Sequence, residues 1–334
     1  MPSLRKRGAG GEDEGFMNKN GGYLDECLRS GEFRFARLDL PDIDNQPVID
    51  ANVPEIVEQE TCLFHQSVAK ATDYAELLDG YLCRGMEGKL PSPVVRFADG
   101  EYAFYNFTLG CNGLYKQAES VAAIRRAMPM HIEALKRLAA RGRLAPLVFP
   151  DNIELNRRNG LLSFFKRFKK APTASSFWDF LCLNGAAING SNYLPFYAVY
   201  AYLTSEAFAR AVDGKRLCIL NSEYNPEMCR RWFAVFSSRP EIVFTEIPAE
   251  YVATRWDKIR EDILKRVPPD ADLCLAGAGV GALMICVDVA ERFSIPVIDA
   301  GHILNMMNGR EDKSNGARMY TIRNSRRLLS GAAI

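Results

Sequence analysis

The chain has 334 residues, 48% of them hydrophobic and 25% charged, the composition of a globular protein with one large domain or two modest ones. At that length a core forms without disulfides or a structural metal. Lys and Arg total 42 against 41 Asp and Glu, a net charge of +1, which excludes the strong basic excess expected of a nucleic-acid binder.

The nine cysteines never form a C-x-x-C pair, and several, such as Cys218 and Cys274, sit inside apolar runs. They read as small buried hydrophobes in a reducing compartment, not as a disulfide framework or a zinc site. Three histidines, His65, His131 and His302, are too few for a multi-histidine metal centre.

In chain order, residues 1–22 are rich in Gly, Arg and Glu and are predicted to be disordered. The basic start has the charge of a signal peptide's first region but no apolar run behind it. No stretch is long and apolar enough to span a bilayer, so a cytoplasmic protein is expected, peripheral at the inner membrane face at most. Residues 23–90 read as a variable extension, with helical spacing over 61–83. The apolar run 93–97 predicts a buried strand, and Ala98-Asp99-Gly100-Glu101 a turn after it. A helix is expected over 120–141 and a strand over 145–150.

Residues 151–212 read as helical, with no topology assigned. The last third alternates cleanly. Strands are predicted at 215–220, 242–244, 272–276 and 295–299. Helices are predicted between them at 226–237, 253–266 and 281–293, and a polar tail from 309 to 334. Strands alternating with helices of this length mean βαβ units, hence an α/β fold with a mostly parallel sheet flanked by helices.

In such sheets ligands bind beyond the carboxyl ends of the strands. Four polar segments lie there. In the first, Asp99 and Glu101 flank Gly100, which would let both carboxylates turn onto one cation. Hard oxygen ligands of this kind suit Mg²⁺ or Mn²⁺ completed by phosphate oxygens. Alone, the triplet reads more readily as an exposed Asp-Gly turn than as a metal site. In the second, Glu223 lies just past a strand end. The third, with Gly277, Gly279 and Gly281 between a strand and a helix, would bring a ligand's phosphates to backbone N–H groups; tight turning explains the same glycines. In the fourth, Asp299 and His302 offer a base, an orienting group or a ribose ligand.

Taken together these segments resemble the GT-D-type glycosyltransferase family, once catalogued as a domain of unknown function. That family's R-F-G-D-G-E segment stands here as Arg96-Phe97-Ala98-Asp99-Gly100-Glu101. Its closing D-I-G-H stands as Asp299-Ala300-Gly301-His302, after a strand, a glycine loop and the helical Cys286-Val287-Asp288-Val289-Ala290. The resemblance spans about residues 90–305, within a domain assigned to 91–308.

It implies a single Rossmann-like domain, a nucleotide-sugar donor (a UDP-sugar) and a Mn²⁺ or Mg²⁺ ion held by Asp99 and Glu101. Arg96, Gly277, Gly279 and Gly281 are then the candidate donor-binding residues, and Glu223, Asp299 and His302 the catalytic candidates. The acceptor would be a glycan, a glycoprotein or a lipid-linked sugar. Two departures stand out: Ala98 replaces a glycine, and 303–307 reads Ile-Leu-Asn-Met-Met where the family tends toward acidic and aromatic residues.

The basic amphipathic run 161–170 reads as a membrane-surface helix or as a core-packed one with solvated lysines. Trp178, Tyr193, Phe196, Tyr197, Tyr200 and Tyr202 are candidates for sugar stacking or for the core. Two rival functions are an NAD- or S-adenosylmethionine-dependent enzyme built on the glycine loop and Asp299, and a non-catalytic nucleotide-binding protein. Against the dinucleotide reading, Ala282 stands where the third glycine belongs, and no second βαβαβ half follows.

Overall fold

The computed structural model describes residues 71–110, 116–147 and 174–310. It begins with helix α1 (Ala71–Gly88), whose Leu78, Leu82 and Met86 recur every four residues and are buried with Val94. The packed unit therefore includes residues that the sequence pattern assigned to an extension. Then come β1 (Ser92–Phe97), α2 (Asp99–Tyr105), α3 (Val121–Arg141) and β2 (Arg143–Pro146).

The section without an assigned topology contains α4 (Ala174–Leu183), α5 (Phe196–Leu203) and α6 (Glu206–Ala211). The rest alternates as expected: β3 (Arg216–Asn221), α7 (Pro226–Ala234), β4 (Glu241–Glu246), α8 (Val252–Leu264) and β5 (Leu273–Gly277). A 3₁₀ turn (Gly279–Gly281) leads into α9 (Ala282–Phe293), followed by β6 (Pro296–Asp299) and α10 (His302–Met307). The amphipathic run 161–170, the 1–22 segment and the tail beyond 310 lie outside the described residues.

The six strands form one sheet in the order β2-β1-β6-β5-β3-β4, with every pairing parallel. The fold is α/β, as the alternation predicts. β1 and β6 are buried at every position, which is why they read as mostly apolar runs, with Arg96 and Asp299 as the buried charged exceptions. β4 is an edge strand, half-buried and closed at both ends by exposed Glu241 and Glu246, charges that discourage further strand pairing.

Helices α2, α3, α4, α8 and α9 cover one face; α1, α5, α6, α7 and α10 cover the other. Connections running toward β2 (β1 to β2, β4 to β5, β5 to β6) use the first face, and β3 to β4 uses the second. A single crossover hand requires this division.

The first face is stitched by Asp288 of α9. It accepts from Trp256 Nε1 (2.6 Å) and Arg137 Nη1 (2.9 Å) and forms an ion pair with Arg260 Nε (2.8 Å), tying α3, α8 and α9 together. A buried carboxylate is tolerated because its charge and lone pairs are met. Nearby His131 is neutral. It donates from Nε2 to the Ala253 carbonyl (2.8 Å) and accepts at Nδ1 from the Tyr105 hydroxyl (3.1 Å); burial lowers its pKa to about 4. No helix among the described residues is long and apolar enough to cross a membrane.

Candidate active site at the carboxyl end of the sheet

The central strands part at this end. β1 pairs with β6 only as far as Val94 opposite Ile298, then continues beside β2 to Phe97. β6 meanwhile stays with β5 through Asp299, and Ala300 still donates to the Ala276 carbonyl (2.9 Å). The crevice between β1 and β6 is thus a gap in strand pairing, with α2 starting on one side and α10 on the other.

Arg96 and Asp299 fill its floor. The guanidinium donates from Nη2 to Asp299 Oδ1 (2.9 Å) and from Nε to the Asp299 carbonyl (2.8 Å), while the Arg96 backbone N–H reaches Oδ2 (3.2 Å). The two side chains are only 7% and 6% exposed. The rings of Tyr200 and Phe196 lie 4.4 and 5.1 Å from the guanidinium carbon. Burial works against the cation, yet the Asp299 carboxylate, with Tyr200 and Glu101, holds the Arg96 pKa above the ordinary arginine value.

Gly301 has φ +44°, a conformation that L side chains rarely adopt, and a Cβ there would run into Arg96 Nη2. The turn after β6 is thus built around the guanidinium.

Asp99 and Glu101 stand on the β1 side of the crevice. The sequence predicts a turn; the chain instead enters helix α2 with Asp99 first and Glu101 third. Gly100 has no positive φ, so it serves no special backbone conformation. Ala98, the N-cap, has φ −137°, a region open to any residue, which explains why alanine is accepted there.

Residues two apart on a helix do not face each other. Asp99 is exposed, whereas Glu101 folds back so that Oε2 accepts the Ala98 N–H (2.8 Å), half of a capping box. Burial raises the Glu101 pKa to about 7, the Ala98 N–H opposing it and the Asp299 charge adding to it. Among the described residues no three His, Cys, Asp or Glu side chains gather as a metal cluster.

The remaining candidates divide. His302 opens α10, exposed beside the crevice. Glu223 follows β3, and β5 separates that strand from β6; its carboxylate pairs with Arg310 (2.5 Å). The glycine loop is packed with protein. A Cβ at Gly277 would meet Leu304 Cδ1 at 2.7 Å, one at Gly279 would meet Gln117 at 2.6 Å, and one at Gly281 would meet Val252 at 2.6 Å.

The Val280 N–H at the head of the loop is taken by Gln117 Oε1 (3.1 Å). Protein neighbours account for the absent side chains, and Asp299 is engaged by Arg96. A dinucleotide therefore finds neither an open cradle nor an available ribose carboxylate.

Trp178, Tyr193, Phe196, Tyr200 and Tyr202 are all buried, so core packing accounts for them; the Tyr197 side chain lies outside the described residues. Ile303, Leu304, Met306 and Met307 are buried too, the packing reason for an apolar stretch after His302.

Gln117 and the aromatic cover over Arg96 went unread in the sequence. Gln117 lies in a segment without periodicity. The aromatics carry a signal only once the buried arginine they cover is known.

No family model matches the chain, and no curated protein does. Two solved structures are similar to it, each at 17% identity and a TM-score of 0.39, over 71% of this chain and 83% of that one. One is a selenomethionine-substituted structure of domain of unknown function 1792; the other is described as that domain, with a distinct glycosyltransferase fold.

Proposed function

We propose that the chain is a metal-dependent glycosyltransferase, moving a sugar from a UDP-sugar or related nucleotide-sugar donor to a glycan, glycoprotein or lipid-linked acceptor. What supports this reading is a contact across 203 residues: Arg96 bonds directly to Asp299. That contact unites, at one crevice, the two segments carrying the family resemblance, 96–101 and 299–302.

Asp99 and Glu101 are the proposed metal ligands. Both are carboxylates, the hard donors that Mn²⁺ and Mg²⁺ prefer. Glu101 spends Oε2 on the Ala98 N–H. A carboxyl raised by burial gains from a cation beside it, but Asp99 and Glu101 diverge at the head of α2, so both would hold one ion only with one of them turned toward the other, donor phosphate oxygens and water completing the shell. Such an ion, when bound, would neutralise charge on the departing diphosphate.

His302 is the proposed base toward the acceptor hydroxyl, since it is exposed at the crevice and carries an imidazole, a group able to accept a proton. Glu223 is placed less well, at the end of β3 and paired with Arg310. The free, buried thiols of Cys218, Cys229, Cys274 and Cys286 suit the reducing cytoplasm proposed as its location.

The test is a thermal-shift panel of nucleotides and nucleotide sugars, with and without Mn²⁺. A ligand that binds the native state raises its melting temperature by mass action. UDP or a UDP-sugar is expected to stabilise the protein only with metal. Stabilisation by NAD or S-adenosylmethionine, with no response to any metal–nucleotide pair, would reject the reading.

A further inference from the structure

We propose that Arg96 and Asp299 are positioning residues, a clamp that joins β1 to β6 beyond their last paired residues and holds the start of helix α2, which carries Asp99 and Glu101. The inference rests on the proposed function for what that helix start binds, but not for the clamp itself.

The backbone supplies the first argument. Alternate residues of a parallel strand direct their N–H groups to the same neighbour. Ser92 N–H reaches the Ile295 carbonyl at 3.3 Å, so the Arg96 N–H also faces β6. By then β6 has left, its last partner on β1 being Val94. Asp299 Oδ2 takes the place of the absent backbone acceptor, and Oδ1 anchors the guanidinium of the same residue. A buried N–H left without an acceptor would be costly, so the carboxylate finishes the sheet here.

Access supplies the second argument. A general base must come within hydrogen-bond reach of the hydroxyl it deprotonates. The Asp299 carboxylate is buried, with both oxygens occupied by Arg96, and the guanidinium is covered by Phe196 and Tyr200. Arg96 likewise spends Nε and Nη2 on Asp299, with Gly301 packed against it. Only Phe97 and Ala98 separate Arg96 from Asp99. A shift in the clamp is therefore passed along the chain to the proposed metal ligands, as an outer-shell partner orients a ligand.

The experiment uses the full chain with both charges removed, Arg96→Met/Asp299→Leu, so that neither is left buried and alone. Hydrogen exchange is followed at the amides of Arg96, Ala98 and Tyr102, with those of β3 and β5 as internal reference. Mn²⁺ binding is measured by electron paramagnetic resonance in the presence of UDP.

The reference strands should keep their protection while the three amides exchange about tenfold faster or more. Mn²⁺–UDP affinity should fall by about tenfold or more before any acceptor is added. Unchanged exchange at those amides overturns the proposal. So does intact Mn²⁺–UDP binding with loss of turnover alone, the signature of a base.

If the wild-type chain binds neither Mn²⁺ nor UDP, the proposed function fails and the exchange data alone decide on the clamp. Should the double variant not fold, Arg96→Lys replaces it. Lysine keeps the charge but cannot reproduce the fork, and the same local acceleration is expected, smaller in size.

Discussion

The carboxyl end of the sheet has two openings, and they are built oppositely. Between β3 and β5 the onward helices leave on opposite faces, the topology that ordinarily marks a ligand crevice in an open α/β sheet. Here that opening is filled. Leu304 and Asn221 crowd Gly277, and Asn221 Nδ2 bonds to the Glu223 carbonyl (3.0 Å).

Between β1 and β6 the strands themselves part, and the gap is floored by a charged pair and bordered by carboxylates and an imidazole. Connectivity admits both openings, since α2 and α10 also leave β1 and β6 on opposite faces; packing closes the first, and the charged pair lies at the second.

Glycine substitutions separate the two openings most sharply. Gly301→Ala meets both a positive φ and the guanidinium, and is expected to destabilise by about 3 kcal/mol or more, since it forces Arg96 off Asp299. Gly277→Ala meets only the end of Leu304 and the amide of Asn221, and should cost about 1 kcal/mol. Denaturant melts of the two variants check the order. Equal costs would mean that the openings are equally packed and the contrast is false.

A smaller effect belongs to Glu101. Its carboxyl titrates near 4.5 when unfolded but near 7 in the fold. Between those values the unfolded chain has already lost a proton that the folded chain keeps, so metal-free stability falls as pH rises through this window. Glu101→Gln should remove that slope and be more stable than wild type at pH 8 by about 1–2 kcal/mol, since part of the side chain remains in solvent. His131 works the other way. Its folded pKa, near 4, lies below the unfolded value of 6.5, so its contribution is present above pH 6.5 and lost as pH falls toward 4. Stability curves against pH for wild type and Glu101→Gln should diverge above pH 5; parallel curves would place Glu101 in ordinary solvent.

Much of the fold could be read from the chain because parallel strands buried on both faces must be apolar. Val94, Val95 and Phe97, or Leu217 to Leu220, announce themselves for that reason. Helix α2 was hidden because Asp-Gly-Glu has the residues of a turn, and its seven residues are too few for a periodic signal. The β2 strand begins at Arg143, two residues before the apolar run that suggested it, because backbone pairing with Val94 and Val95 fixes it there.

The sequence singled out Arg96, Asp99, Glu101, Asp299 and His302 as candidates, but not the contacts the fold makes among them. That Arg96 answers Asp299 and that Gln117 caps the Val280 N–H are tertiary facts, across 203 and 163 residues, with no local trace.

The central claim is that Asp99 and Glu101 hold a divalent ion that helps bind the donor diphosphate. Isothermal titration of UDP into the full chain with saturating Mn²⁺, and again with chelator, tests it when repeated on Asp99→Asn/Glu101→Gln. The account predicts metal-dependent UDP binding in the wild-type chain and a loss of about 100-fold or more in the variant, with its circular dichroism spectrum unchanged. UDP binding that is indifferent to both chelator and the double substitution would contradict it.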